Sequence, residues 1–312
     1  MVIEKTLDFE GKKIFYRIIG EGPGVMLLHG LPFDGDLWKP LLAGHLAGAF
    51  KFIVPDLPGS GRSEIIEDMS MEGMARAMKV ILDREIRPPQ SPPKERFTAT
   101  QKDFAQNNNT QEKTESSKSE VRGWVTPPSR EKEGAVMIGH SMGGYVSLAF
   151  AEKYSEYLKG LGLFHSTAYP DGDERKAARR KGIEFIKKNG AHEFLKTIIP
   201  NLFSPNHKDE IALFIDGLIQ KTNNFSAPSL VSYYEAMMQR PDRTNVLKTL
   251  KIPMLFIAGK YDNAAPLNDL LKLCHLPEIS YFHVLAESGH VGMIEETEKS
   301  KIILNEYLIN LS

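Results

Sequence analysis

The chain has 312 residues, which is enough for one large domain or two ordinary ones with a sizeable core. Hydrophobic residues at 41%, charged residues at 25% and a formal net charge of -1 are ordinary for a soluble globular protein. They give no reason to expect nucleic acid or an anionic membrane as a partner. The single cysteine, Cys274, excludes an internal disulfide framework and suits a reducing compartment.

The beginning of the sequence shows no targeting pattern. Residues 1–10 carry acids among their apolar side chains and lack the apolar core of a signal peptide. No run along the chain approaches the roughly 18 apolar residues of a membrane span. The sequence therefore predicts a cytoplasmic protein that acts without a membrane.

The first half of the chain alternates short strands with turns. Strands are predicted at 3–9, 13–19, 25–28 and 52–54. The glycine-rich turn at 55–63 lacks the spacing and the lysine of a phosphate-binding loop, so a nucleotide site is rejected. Residues 70–86 have helical apolar spacing, and Ser70 stands at the N-cap position.

Residues 87–133 interrupt this pattern. They contain three Pro-Pro pairs, a run of three asparagines and few large apolar side chains. Such a segment cannot bury enough surface to offset its ordering entropy, so we predict a long disordered insertion. Its position before the next strand places it at the edge opposite the expected ligand site, where it would be dispensable for catalysis. Docking of a protein partner through 87–133 is the alternative.

The stretch from Ala135 to Tyr145 carries the strongest signal in the chain. An apolar run typical of a buried parallel strand leads into Gly139-His-Ser-Met-Gly143, and a helical apolar series follows. This is the G-x-S-x-G pattern in a strand–turn–helix context, in which a sharp turn exposes the serine hydroxyl. Ser141 is therefore predicted to be a nucleophile.

The second half of the chain resumes the alternation around a helical block. Strands are predicted at 160–164, 252–258 and 280–284, and a final helix at 296–311. Between the first two strands, helices are predicted at 172–189, 191–199, 207–222 and 227–239. We infer an α/β fold with a core at 1–170 and 250–312, and a helical cap at 171–249 over the strands' carboxyl ends.

A serine hydroxyl needs a base, and the base needs an orienting acid. His290 and Asp262 each follow one of the last two strands, at the same edge of the sheet as Ser141. The order Ser141, Asp262, His290 fits a catalytic triad. Asp171, which follows the strand after the nucleophile, is the second candidate for the acid. No pair of His or Cys has metal-ligand spacing, so neither a metal nor a cofactor is predicted.

An oxyanion formed during acyl transfer needs two backbone donors. The N–H groups of Met142 and Leu31 are the predicted pair, because one opens the helix after Ser141 and the other follows the strand at 25–28. A substrate pocket is predicted from side chains near these positions and in the cap: His29, Phe33, Tyr145, His165, Phe203, Tyr233 and Met237.

Taken together, these motifs resemble the α/β-hydrolase superfamily, and in particular its small cap-bearing serine branch of esterases, enol-lactonases and cofactor-free haloperoxidase-like proteins. The matching motifs are His29-Gly30, 55–63, 139–144, 252–262 and Gly289-His290. They span nearly the whole chain except 87–133. The resemblance implies a mostly parallel eight-stranded sheet with a helical cap. Serine at position 141, where the epoxide hydrolase and haloalkane dehalogenase branches have aspartate, argues against those branches.

Three functions fit this sequence. The first is hydrolysis of a small ester, thioester or lactone through an acyl-Ser141 intermediate. The second keeps the triad but uses His290 as the base in carbon–carbon bond cleavage or elimination. The third is a ligand-binding or signalling module with slow turnover, which engages a partner through 87–133. Fold alone does not choose among them.

Overall fold

The structure is a computed structural model that describes residues 1–43, 46–86 and 134–311. One sheet runs through these residues. Its strands are β1 Val2–Phe9, β2 Lys12–Ile19, β3 Gly24–Leu28, β4 Lys51–Pro55, β5 Ala135–His140, β6 Leu158–Phe164, β7 Met254–Gly259 and β8 Ser280–Leu285. Their spatial order is β1-β2-β4-β3-β5-β6-β7-β8, and every neighbouring pair from β4 onward is parallel. The predicted eight-stranded, mostly parallel sheet is confirmed.

Helices flank this sheet and fill the interval between β6 and β7. In chain order they are α1 Lys39–Leu42, α2 Leu46–Ala49, α3 Met71–Glu85, α4 Met142–Tyr154, α5 Asp173–Asn189, α6 Ala191–Ile198, α7 Ala212–Lys221, α8 Ala227–Gln239, α9 Thr244–Thr249, α10 Leu267–Leu273, α11 Gly292–Glu295 and α12 Thr297–Ile309. We call the residues from α5 to α9 the cap segment. Among the described residues, no helix is both long and apolar enough to cross a membrane.

The centre of the sheet explains why these strands have no alternating pattern. Every residue of β3, β5 and β7 is buried, because helices cover both faces of a parallel sheet. Strand β5 lies between β3 and β6, so the turn after it opens at the middle of the sheet. Strand β1, in the opening hairpin, is partly exposed to solvent instead. Its last four residues alternate between exposed and buried.

The structure differs from the predicted elements mainly at their ends. Strand β5 continues two residues beyond the predicted apolar run, since Gly139 and His140 still pair with β6. The helix predicted over 207–222 begins only at Ala212, because turns occupy the preceding residues. The short helices α9 and α10 were not predicted, since six or seven residues give too little periodicity. The predicted insertion at 87–133 lies outside the described residues.

Candidate active site

The turn between β5 and α4 is held in a strained conformation. Ser141 has φ 50° and ψ −118°, a backbone region that L-residues with a side chain rarely adopt. Such a conformation costs about 1–3 kcal/mol and persists only where neighbouring contacts impose it. The Ser141 N–H donates to the carbonyl of Phe164 at 3.0 Å, and the Ser141 carbonyl accepts from the Ser166 hydroxyl at 2.7 Å. A Cβ on Gly143 would lie 2.6 Å from the His29 carbonyl oxygen, so only glycine fits there.

This turn brings the Ser141 hydroxyl against His290, and His290 against Asp262. His290 Nε2 lies 2.8 Å from Ser141 Oγ, and His290 Nδ1 lies 2.8 Å from Asp262 Oδ2. A carboxylate can only accept, so His290 Nδ1 carries the proton and Nε2 is free to accept from the serine hydroxyl. The three residues that the sequence predicts to form a triad therefore make one continuous line of hydrogen bonds.

Four N–H groups surround the Asp262 carboxylate. Oδ1 accepts from the backbone of Ala264 and Ala265, both at 2.8 Å, and Oδ2 accepts from His290 and from His165 Nδ1 at 3.1 Å. Burial opposes the charge of this carboxylate, because Asp262 as a whole is only 5% exposed. The electrostatic attraction of the His290 ring and the hydrogen bonds from His165 and His290 outweigh burial and hold the pKa of Asp262 well below its usual range. Asp262 is therefore fixed as an anion facing the His290 ring.

His165 contacts Asp262, although the sequence predicted that it lines the substrate pocket. Its Nε2 accepts from the backbone N–H of Gly292 at 3.0 Å, so its Nδ1 carries the proton that goes to Asp262. His165 follows β6 just as Asp262 follows β7, and that shared position at the strand ends is the sequence signal that could have found it.

The ligand atoms of His165, Asp262 and His290 lie within 4.8 Å of one another, which is a spacing that could hold a metal ion. The hydrogen bonds argue against it. His165 accepts from a backbone N–H with one ring nitrogen and donates to Asp262 with the other, so it has no free lone pair for a metal. This cluster fits a fixed carboxylate better than a metal centre.

The backbone of His290 is fixed as well as its ring. Its carbonyl accepts from His140 Nε2 at 2.8 Å, and the two imidazole rings lie 5.1 Å apart. His140 is completely buried, and burial together with the neighbouring imidazoles lowers its pKa well below the usual value. His140 therefore supports His290 as a neutral donor, which explains a polar side chain inside the turn at Ser141.

The predicted oxyanion donors lie at the ends of two neighbouring strands. Met142 is the first residue of α4, and Leu31 follows β3, which pairs with β5. Among the described residues, no acceptor is hydrogen-bonded to the N–H of either one. His29 joins the residues after β3 to the turn after β4, because its Nε2 accepts from the Leu57 N–H at 2.8 Å.

Three of the predicted pocket residues are completely enclosed by protein: His29, His165 and Tyr233. The Tyr233 hydroxyl donates to the Pro58 carbonyl and lies 2.8 Å from the Ser60 hydroxyl, so it joins helix α8 to the turn after β4. This corrects the prediction that these three side chains line a pocket. Each of them has a polar atom, and burial without a partner would have been costly.

The other four predicted pocket residues are nearly buried. Tyr145 packs under the Arg240 guanidinium at 3.9 Å, and the Phe203 ring lies 6.1 Å from that of Phe214. Met237 belongs to the main apolar core. Phe33 lines an open groove of about 1380 Å³ between the Leu31 loop and helix α7, but neither Ser141 nor His290 contributes to this groove.

Asp171, the second candidate for the acid, has other partners. Its carboxylate pairs with Arg179 at 2.5 Å and with Arg240 at 2.9 Å, both in the cap segment. Burial opposes its charge, but the two guanidinium groups outweigh burial and lower the pKa of Asp171. Asp171 holds the cap segment together and does not contact His290.

A parallel sheet with a strained serine after its central strand defines the class of α/β hydrolases. The sequence agrees, because residues 25–299 match the profile of the alpha/beta hydrolase family. The chain belongs to that family and is a hydrolase enzyme.

Relatives cover almost the whole chain. It is 20% identical to a pimeloyl-[acyl-carrier protein] methyl ester esterase of Vibrio cholerae over 91% of this chain and 94% of that protein. It is 22% identical to a 2-hydroxy-6-oxo-6-phenylhexa-2,4-dienoate hydrolase of Comamonas testosteroni over 96% and 93%.

Two solved structures are also similar. A thermophilic esterase from Thermogutta terrifontis superposes with a TM-score of 0.78 at 25% identity, over 100% of this chain and 99% of that one. The enol-lactonase of Burkholderia xenovorans LB400 superposes with a TM-score of 0.77 over 98% and 100%. At 18% identity, the second likeness speaks for the fold alone.

The buried imidazole of His165 predicts loss of stability in mild acid. Burial lowers its pKa, although the Asp262 contact opposes that shift, whereas an unfolded histidine titrates near pH 6.5. Below about pH 6.5 the unfolded chain binds a proton that the folded protein does not, so stability is complete above that pH and falls below it. We expect His165→Asn, which cannot titrate, to weaken this pH dependence by up to about 1.4 kcal/mol per pH unit.

Urea unfolding from about pH 5 to about pH 7.5 measures this dependence. Asparagine keeps an N–H donor for Asp262, so the comparison isolates the proton uptake of the imidazole. Parallel curves of unfolding free energy against pH for the two proteins would contradict the assignment of His165 as a buried, uncharged imidazole.

Proposed function

We propose that this hydrolase cleaves a small ester, thioester or lactone through an acyl-Ser141 intermediate. The observation that carries the proposal is the line from Ser141 Oγ through His290 to Asp262, with 2.8 Å at both contacts. An isolated serine hydroxyl is a poor nucleophile, and a base in hydrogen-bond contact with an ionised acid is what activates it.

In the first half of the reaction, the Ser141 oxygen attacks the substrate carbonyl carbon while His290 Nε2 accepts the hydroxyl proton. The tetrahedral intermediate places its negative charge on the former carbonyl oxygen, toward the N–H groups of Met142 and Leu31. The bond from carbon to the leaving oxygen or sulfur then breaks, and His290 returns its proton to that atom. The acyl group stays on Ser141.

In the second half, water takes the place of the leaving group. His290 accepts a proton from the water as its oxygen attacks the acyl carbon. Collapse of the second tetrahedral intermediate breaks the bond to Ser141, and the serine oxygen regains the proton from His290. A carboxylic acid leaves, and the enzyme returns to its starting state. Asp262 stabilises the His290 imidazolium in both halves.

Carbon–carbon bond hydrolysis is the second candidate function. The observation that favours it is the likeness to the Comamonas testosteroni hydrolase, whose name gives a dienoate, and not an ester, as its substrate. Turnover of simple esters separates the two functions. The reading as a signalling module depends on residues 87–133, which lie outside the described part of the chain.

We predict that wild type hydrolyses short-chain p-nitrophenyl esters and that Ser141→Ala lowers kcat by about 10⁴- to 10⁶-fold, because nothing else supplies the nucleophile. A fluorophosphonate probe should label wild type and fail to label the variant. Ser155→Ala changes an exposed serine that begins the short 3₁₀ helix after α4 and serves as the control. Ester turnover that survives in Ser141→Ala would contradict the mechanism, and labelling without any ester turnover would favour the second function.

A further prediction concerns Asp262, the proposed orienting acid. Asp262→Asn replaces one oxygen of the carboxylate by an NH₂ group that faces N–H donors and removes the charge opposite the imidazolium. We expect kcat to fall by about 10⁴-fold with a much smaller change in KM. Steady-state kinetics with a p-nitrophenyl ester measure this split, and Asp269→Asn on the outer helix α10 is the control. Retention of wild-type kcat in Asp262→Asn would exclude this residue as the acid.

A further inference from the structure

Glu295 is a carboxylate near the site that the reaction above does not use. It ends the short helix α11 and is largely buried. Its Oε2 accepts from the backbone N–H groups of Gly289 at 3.0 Å and Val291 at 3.2 Å, the two residues that flank His290. Its Oε1 accepts from the N–H of Ser204 at 2.6 Å, and Ser204 belongs to the cap segment. One side chain therefore binds both the base's loop and the cap.

A second contact joins the same two parts without Glu295. The backbone N–H of His290 donates to the carbonyl of Leu202 at 2.6 Å. The chains approach so closely here that a Cβ on Gly289 would lie 2.7 Å from both Leu202 O and Ser204 N. Backbone against backbone at this distance leaves room only for glycine. The loop of the base and the cap residues Leu202–Ser204 are thus packed as one unit.

These hydrogen bonds fix the backbone of His290 and of both its neighbours in the chain. His140 holds the carbonyl of His290, Leu202 holds its N–H, and Glu295 holds the N–H groups before and after it. A buried carboxylate is costly unless its oxygens are satisfied, and here three N–H groups satisfy it. Displacing the cap at Ser204 would break one of these bonds and leave the carboxylate that orients the loop less firmly held.

We propose that Glu295 is a positioning residue for His290, and that it makes the cap residues Leu202–Ser204 part of the support of the catalytic base. His290 is aligned with Ser141 only while the cap is bonded to the base's loop. This inference rests on the proposed serine hydrolase function. It adds that movement of the cap changes the reaction rate by moving the base, and not only by opening the way for substrate.

Glu295→Gln tests the proposal. The amide NH₂ cannot accept from an N–H, so at least one of the three bonds is lost while the shape of the side chain is kept. A base displaced by a fraction of an ångström should lower kcat by about 10- to 100-fold, with KM nearly unchanged, because the base is not needed for substrate binding. The rate of fluorophosphonate labelling should fall with kcat. Glu298→Gln, at an exposed position paired with Lys301, is the matched control.

Gly289→Ala supplies an independent variant, because its methyl group separates the cap from the loop without changing the carboxylate. Amide hydrogen exchange reports the coupling directly. In both variants the N–H groups of Ser204, Gly289 and Val291 should exchange faster together, and kcat should show the same fall. If Glu295→Gln does not fold, Gly289→Ala decides the question by the same two readouts.

Faster exchange with unchanged kcat would overturn the proposal, since the contacts would then be structural only. Faster exchange at Ser204 alone would also overturn it, because the cap and the loop would be independent. If wild type lacks ester turnover, the proposed substrate class fails while exchange and probe labelling still test the coupling. The two failures are therefore distinguishable.

Discussion

The strained backbone at Ser141 is the constraint on which the rest of the site depends. A serine at φ 50° is stable only because β6 accepts its N–H, Ser166 binds its carbonyl and glycine at 143 lets α4 approach the strand loops. This strain lifts the hydroxyl out of the sheet and leaves the first N–H groups of α4 without partners in the helix. The central strand of a parallel sheet is the best place to hold it, because buried neighbours fix both sides.

Around the serine, the site places neutral donors and one fixed anion. Burial keeps His140 and His165 uncharged, so each contributes an N–H, to the backbone of His290 and to the carboxylate of Asp262 respectively. Asp262 remains ionised although it is buried, since its oxygens accept four N–H groups. The only charge that the proposed reaction would create beside it is that of the His290 imidazolium, and the carboxylate already faces that ring.

The sequence predicted the parts that depend on local pattern. Apolar runs identify β3, β5 and β7, and the rule that ligands meet the carboxyl ends of strands selects Ser141, Asp262 and His290, which the structure brings into contact. It could not predict contacts formed by packing. The sequence around Tyr233 and Met237 is the same whether these side chains line a pocket or fill the core. Glu295 stands among other charged residues, and nothing in the sequence marks it as buried. Their partners lie far away along the chain, at Pro58 and Ser204 among others, and no periodicity encodes such pairs.

The central claim is that the acyl group passes through Ser141, and the mass of the protein during turnover tests it most directly. Wild type mixed with a short-chain p-nitrophenyl ester and quenched in acid should gain the mass of one acyl group, as p-nitrophenol appears in a burst. Peptide mapping should place that group on the peptide that contains Ser141. A p-nitrophenol burst with no mass gain, or an acyl group found on another residue, would contradict the acyl-Ser141 mechanism.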